Sequence, residues 1–280
     1  MILVTGATGN VGSELAHLLA ARGAGVRAVV RNPDGAPFPA AVDVVSGDLT
    51  RPETVAPALK GVRRVFLLGG FATTELLGHM RDAGVAQVVV LTSRCVIGGH
   101  PDNAITRMWL DAEAAVRGSG MAWTILRPSG FHSNALRWRP QLRRGDVVRT
   151  PWANVPIASI DPADIAAVAA TVLTEPGHQA ATAVLSGPQP LTPGEQVTIL
   201  ARVLGRPLRY EPLADTKARA QMAADTPALF VDALFRFFTD GEFDDSVVVP
   251  SVLEITRHPP RTFEQWAQAH SDAFTNDAMR

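Results

Sequence analysis

Three glycines spaced three apart, Gly6, Gly9 and Gly12, follow directly on the apolar run Ile2-Leu3-Val4, and residues 13–22 then read as a helix. No other stretch restricts the possible folds as tightly. Gly6 permits a tight turn, Gly9 lets the backbone approach a pyrophosphate, and Gly12 lets helix pack on strand. The N–H groups at the start of such a helix, with its dipole, favour negative charge placed there. A plain glycine-rich corner is the alternative. Strand before, helix after and a position at the start of the chain agree on nucleotide binding.

The rest of the chain keeps the same rhythm. Residues 26–31 read as a second strand, broken by Asn32-Pro33-Asp34-Gly35, and residues 42–49 as a third that ends in Gly47-Asp48-Leu49. Thr50 caps a crossover helix over 51–60. Residues 65–70, nearly all apolar, suit a parallel strand buried on both faces. Helices over 74–83 and 102–118 alternate with strands over 87–92 and 123–128. This alternation predicts an α/β class protein with a doubly wound parallel-sheet Rossmann fold.

Beyond residue 128 the rhythm loosens. Residues 129–154 are rich in Arg, Trp and Pro and read as a pocket-forming loop region. A strand over 155–160 precedes a helix over 162–174 capped by Asp161, and a strand over 181–185 follows. Thr192 and Glu195 have capping-box spacing for a helix to about 204. A strand over 208–212 and helices near 214–224 and 226–238 complete the reading. The expected organisation is a dinucleotide-binding core over 1–128, completed by 155–186, and a small C-terminal α+β substrate lobe drawn mainly from 129–280. Leu229, Phe230, Ala233, Leu234, Phe237 and Phe238 give helix 226–238 a broad apolar face: core, a lid over the cleft, or the contact of a homodimer.

Composition narrows the partners. A net charge of −1 and a pI near 6.7 give no electrostatic footprint for nucleic acid or an anionic membrane surface. No basic segment precedes the first apolar run, as a signal peptide would require, and no apolar run is long enough to span a bilayer. Cys95 is the single cysteine, so the cytoplasm is the expected compartment; it reads as a small buried residue before a reactive thiol. No His/Cys/Asp grouping has metal-ligand spacing, and no metal is expected. The partner is a small molecule. Arg31 sits at the end of the second strand, where an acid would bind the 2′-OH of NAD and an arginine accommodates the 2′-phosphate of NADP, so NADP(H) is expected over NAD(H). Asp34, beyond the turn, is the weaker candidate for an NAD contact.

The segments Val4 to Gly12, Val29-Val30-Arg31-Asn32-Pro33, Gly47-Asp48-Leu49, Ser119 to Pro128, Ile160 to Ala166 and Leu185-Ser186-Gly187-Pro188 together resemble one family. It is the NmrA-like group of atypical short-chain dehydrogenase/reductases, which includes NAD(P)H:quinone oxidoreductases. The likeness runs over about residues 1–210, and its Thr-Ile-Leu-Arg-Pro strand is more specific than the glycine loop. It implies that Gly6, Thr8, Gly9, Asn10, Val11 and Gly12 wrap the pyrophosphate, that Arg31 takes the 2′-phosphate, and that Asp48 and Leu49 flank the adenine. Leu68, Gly69 and Gly70 would face the ribose and nicotinamide side, Thr92 and Ser93 would lie below the nicotinamide, and residues 128–131 would border the substrate cleft.

Tyr-dependent members of the superfamily pair a serine with Tyr-x-x-x-Lys, whose lysine lowers the pKa of the proton-carrying tyrosine. Counted from Ser93, Thr106 stands at the tyrosine position and Leu110 at the lysine position. The only tyrosine is Tyr210, and the only lysines are Lys60 and Lys217. The relay pair is absent. A quinone or conjugated carbonyl needs only to be held over the nicotinamide for direct hydride transfer. Phe71, Trp109, Phe131 and Trp152 are candidates for the pocket wall, with Arg94, His100, His132 and Asn134 as polar contacts. His100, in the loop after the fifth strand, and Ser93 are the candidate catalytic residues. The missing pair also admits a non-catalytic, dinucleotide-binding redox sensor, and the Arg- and Trp-bearing segment 129–154 admits a pathway-specific reductase of a polyketide-like aromatic substrate.

Overall fold

The computed structural model describes residues 1–274, so the last six residues of the expected substrate lobe lie outside them. The chain opens with β1 (Ile2–Val4), α1 (Asn10–Ala21), β2 (Val26–Val30), β3 (Val42–Ser46) and a short α2 (Pro52–Val55) prolonged by a 3-10 turn. It continues with β4 (Arg64–Leu68), α3 (Thr74–Asp82), β5 (Gln87–Leu91), α4 (Cys95–Gly98), α5 (Ala104–Arg117) and β6 (Ala122–Pro128). Then come α6 (Arg139–Leu142), β7 (Val147–Thr150), α7 (Pro162–Thr174), β8 (Ala181–Leu185), α8 (Pro193–Leu204) and β9 (Arg209–Pro212). The last elements are α9 (Asp215–Met222), α10 (Ala228–Phe238), α11 (Ser251–Thr256) and α12 (Phe263–Ala269).

Seven strands form one parallel sheet in the order β3-β2-β1-β4-β5-β6-β8. All five residues of β5 are buried, which explains the apolar run Val88-Val89-Val90-Leu91: helices cover both faces. One layer joins α1 and α7 to the sheet through Leu15, Leu19, Ile165, Val168 and Ala169. The opposite layer holds Leu59, Leu76, Met80 and Val116. Chain order reverses between β1 and β4, and a crevice opens there at the carboxyl ends of the strands. Thr5 pins that crevice: its hydroxyl donates to the Phe66 carbonyl at 2.9 Å and accepts from the Leu68 N–H at 3.0 Å. No helix among the described residues is long and apolar enough to cross a membrane.

The second half departs from expectation in three places. Residues 155–160 do not form a strand of the sheet; they make single bridges, Phe131 with Ile160 and Ile157 with Leu191. Pro156 has no N–H, and the Ala158 N–H goes to the Asp245 carbonyl at 2.7 Å, so no regular ladder can run. Residues 147–150, within the stretch read as loop, are instead β7, which pairs in parallel with β9. The third difference is the chain after α10. It crosses the carboxyl end of the sheet, where Val249 N–H donates to Ser186 Oγ at 2.9 Å, and α11 buries Val252 in the α1–α7 layer. A separate cluster of Trp138, Leu142, Val197, Leu200, Phe263 and Trp266 unites α8 and α12 with the short sheet.

Below the crevice the side chain of Glu113 is fully buried. Arg127 reaches it bidentately at 2.8 and 2.6 Å, Arg117 at 3.0 Å, and the Thr92 hydroxyl donates to it at 3.0 Å. Burial alone would raise its pKa, but the hydrogen bonds and charge of Arg127, with Thr92 and Arg117, outweigh it and hold the carboxyl below its ordinary value. This network ties α5 to the ends of β5 and β6. Breaking a buried pair from one side costs about 3 kcal/mol or more, because the remaining charge is stranded. Glu113→Gln is therefore expected to lower the unfolding free energy measured by urea titration by that amount; a loss under about 1 kcal/mol would place the network among solvent-screened pairs.

Candidate active site

The crevice is a cavity of about 430 Å³. Gly6, Thr8, Gly9, Asn10, Val11 and Gly12 line one end, Arg31, Asp48, Leu49 and Thr50 another, and Leu68, Phe71, Leu91 and Phe131 the floor towards β5. Gly6 has φ +59°, and a Cβ there would meet Leu68 Cδ1 at 2.4 Å. A Cβ on Gly12 would lie 2.2 Å from the Gly6 carbonyl oxygen, so α1 reaches the loop only because residue 12 has no side chain. Gly9 caps α1 without any side-chain hydrogen bond, and the first turn carries no acid. Its N–H groups and dipole are thus left for an anion. Asn10 Nδ2 donates to Ser133 Oγ at 3.0 Å, anchoring the loop to the segment after β6.

Arg31 is exposed at the end of β2. Its charge helps to lower the pKa of Asp48, whose carboxylate is first held by the N–H and hydroxyl of Thr50 at 2.9 and 2.8 Å. Asp34 lies past the turn and outside the lining residues. A cradle that a Cβ would fill, a bare helix start and a cation at the second strand end fit a dinucleotide with a 2′-phosphate.

Phe131 also lines a second, largely apolar cavity of about 270 Å³, so crevice and chamber lie on either side of one residue. Trp109, Ile105, Leu234, Phe237, Phe238 and Phe243 wall it, and Thr92, Ser93, Cys95, Ser129, Asn134 and Asp245 supply its polar atoms. Helix α10 is thus a wall of the chamber through Leu234, Phe237 and Phe238, while Leu229 points outward with 65% exposure. Burial pushes the Cys95 thiol up to about 11, which keeps it a protonated thiol. Thr106 is buried and Leu110 only half-buried, while the Tyr210 hydroxyl donates to the Thr150 carbonyl at 2.9 Å. No relay pair forms from them.

Several expected contacts lie elsewhere. His100 is exposed at the rim, with Nδ1 2.7 Å from Asp102 and its N–H on Glu242, and does not line the chamber. Arg94 is buried behind the wall, where its guanidinium donates to the Val247 carbonyl and faces Asp245 at 3.9 Å, so it is not available to a substrate anion. Trp152 stands one layer back, edge-on to Phe235 and tilted against Phe238, with Nε1 donating to Thr239 Oγ1. Phe71 lines the crevice and not the chamber. Of the Leu68-Gly69-Gly70 trio only Leu68 lines the crevice. Gly69 is buried and packed so closely that a Cβ would strike the Leu91 carbonyl at 2.6 Å, and Gly70 looks into open space. The Thr92 hydroxyl turns away to Glu113 and the Leu126 carbonyl. His132 also turns inward, onto Phe263 and Trp266. Ser129 lies in the stretch 128–131 expected at the cleft border; Ile105, Phe243 and Asp245 are chamber residues to which the sequence did not point. No local motif marks Ser129 and Asp245 as a pair 116 residues apart; only the Ser-Gly after the Arg-Pro strand offered a signal for Ser129.

Comparison with known proteins agrees with this geometry. A family model described as NAD(P)H-binding matches residues 6–176. The chain is 39% identical to a (4-alkanoyl-5-oxo-2,5-dihydrofuran-3-yl)methyl phosphate reductase of Streptomyces griseus, over 98% of this chain and 99% of that one. It is 34% identical to an NAD(P)H azoreductase of Xenophilus azovorans, again over 98% and 99%. The crystal structure of an NADPH-dependent quinone oxidoreductase from Escherichia coli superposes with a TM-score of 0.78 at 25% identity, covering 98% of this chain and 100% of that one.

Two outcomes follow from the local geometry. Overpacking at a backbone contact costs about 1–3 kcal/mol. Gly12→Ala is therefore expected to lower the melting temperature and to weaken NADPH binding about tenfold or more in calorimetric titration; unchanged affinity would show that the cradle tolerates a shifted helix. His132 accepts from or donates to Ser159 Oγ at 2.9 Å and reaches the Arg261 carbonyl at 3.3 Å, and burial pushes its pKa from 6.5 down to about 4. With the folded value depressed, its contribution is complete above pH 6.5 and is lost as pH falls towards 4. Wild type is expected to lose about 3 kcal/mol more than His132→Gln over that window in urea titrations. Parallel losses would mean that His132 charges freely in the fold.

Proposed function

Because the chain belongs to the NAD(P)H-binding family, as an NmrA-like atypical short-chain dehydrogenase/reductase, and is an NADP(H)-dependent reductase, we propose that it reduces a neutral quinone or conjugated carbonyl held in the aromatic chamber. The observation that carries this reading is the adjacency of crevice and chamber, which share Phe131 as a lining residue. A dinucleotide laid along the glycine loop would direct its far end towards an apolar, aromatic space. An open chamber at that point suits turnover better than a sensor.

The bound cofactor supplies the hydride. This chain's residues do the rest. The N–H groups at the start of α1 hold the pyrophosphate, and Arg31 holds the 2′-phosphate as a charge-assisted partner. Trp109, Phe131 and the phenylalanines of α10 offer flat apolar surface to a planar acceptor and exclude water around it. Among the described residues no basic side chain lines the chamber, which suits an acceptor whose reacting part is uncharged. The names of the relatives fit one chemical class. An alkanoyl dihydrofuranone, an azo compound and a quinone are all electron-poor π systems that accept hydride. In the first, the ring double bond is conjugated to two carbonyls.

Purified protein is expected to oxidise NADPH with members of a panel of quinones and conjugated enones. Arg31→Ala should raise KM for NADPH about tenfold or more while leaving that for NADH nearly unchanged, as loss of a charged phosphate contact implies. Binding of NADPH without turnover on any acceptor would favour the sensor. Equal losses with both cofactors would show that Arg31 does not read the 2′-phosphate.

A further inference from the structure

We propose that Ser129 and Asp245 form the proton-delivering pair of this reductase, with the Ser129 hydroxyl touching the acceptor and the Asp245 carboxyl supplying its proton. The inference rests on the reading of the chamber as the site of a conjugated acceptor. Both residues line that chamber and are buried, at 3% and 4% exposure. Ser129 Oγ lies 2.6 Å from Asp245 Oδ1, and the Gly130 N–H donates to Oδ2 at 2.9 Å.

The other polar groups of the chamber are poor proton sources. The Thr92 hydroxyl is committed to Glu113 and the Leu126 carbonyl, and Ser93 Oγ accepts the Cys95 N–H at 3.3 Å. The Cys95 thiol is pushed up to about 11 by burial. Asn134 carries no acidic proton. Thr92 too is backed by a carboxyl, but Arg127 and Arg117 hold Glu113 in its ionised form, whereas the carboxyl behind Ser129 is one that burial pushes towards the acid.

The charged surroundings of Asp245 are mixed. Arg94 faces it at 3.9 Å and favours the carboxylate; Asp244 beside it in the chain favours the acid, and the Cys95 thiol nearby is neutral. Burial dominates, and the net direction is upward. When Oδ1 carries the proton it donates to Ser129 Oγ, which frees the serine O–H to point into the chamber.

The step balances. The acceptor takes a hydride from NADPH at the carbon conjugated to its carbonyl, and the displaced π pair moves to the carbonyl oxygen. That oxygen takes the Ser129 proton as the serine takes the Asp245 proton. NADP+ and the protonated reduced acceptor result, and solvent reprotonates the Asp245 carboxylate after release. Serine and aspartate would thus stand in for the missing tyrosine and lysine.

The test compares wild type, Asp245→Asn and Ser129→Ala with two kinds of acceptor. A quinone or enone needs a proton as well as hydride; a triarylmethyl cation becomes neutral on taking hydride alone. Both variants are expected to lower kcat on the enone about 100-fold, as loss of a general acid does, with little change on the cation and unchanged NADPH affinity by calorimetry. The wild-type kcat should fall as pH rises through the Asp245 pKa, and this limb should vanish in Asp245→Asn. A protonated-carboxyl band should appear in wild-type infrared spectra and be missing from Asp245→Asn. Equal losses on enone and cation would overturn the proposal and leave Asp245 a clamp for the Ser129-Gly130 loop. If wild type does not take the cation, the pH limb and the carboxyl band decide by themselves. A wild type that reduces no quinone or enone overturns the reading of the chamber, whereas an absent band overturns the pair alone.

Discussion

The contact between α1 and the loop that feeds it governs much of this molecule. The Gly6 carbonyl sits where residue 12 would carry a Cβ, so the helix can seat against the strand and aim its first N–H groups into the crevice. That seating also places α1 against α7, and α7 in turn receives α11 from the far end of the chain. On the other side of the crevice, Thr5 holds β1 to β4, which keeps Leu68 under the loop. A ligand cleft at a topological switch point exists because the strands part there. Here its width is set by two glycines and one threonine.

The chamber depends on a different kind of contact. Its walls come from α5, from the turn after β6, and from α10 with the segment that follows it. These are far apart in sequence, and two buried ionisable side chains hold them together. Asp245 binds the Ser129-Gly130 turn, and Arg94 binds the Val247 carbonyl. Underneath, the Glu113 carboxylate keeps α5 and β6 in register. Phenylalanines supply the apolar surface, but polar contacts decide where that surface stands.

What could be read in advance was local. The apolar runs of β1, β4 and β5, the glycine loop, the Asp161 cap and the Thr192–Glu195 capping box depend on neighbours a few residues away, and the structure contains each of them. Arg31 was legible because its place at a strand end is fixed by chain order. What escaped depends on distant partners. β7 has only four residues and becomes a strand by meeting β9 some sixty positions later, as the Tyr210 to Thr150 bond records. Residues 155–160 have strand-like composition, yet Pro156 and the diversion of the Ala158 N–H leave them a bridge. His100 and Arg94 had the right chain position for a site, but a rim carboxylate and a buried carbonyl claim them. Asp245 had no motif around it at all.

The path of the segment after α10 has a consequence for biosynthesis. The glycine loop, β2, Arg31 and Asp48-Leu49, the parts proposed to meet the adenosine half of a dinucleotide, are synthesised about two hundred residues ahead of Asp245. The floor of the chamber at Ser129-Gly130 must wait for Asp245, and the layer beneath the glycine loop must wait for Val252. Contacts of such long sequence separation form late. A nascent chain therefore possesses the elements of its glycine-rich crevice long before it can close the chamber, and a chain cut short before residue 245 would lack a wall of the chamber proposed to hold the acceptor.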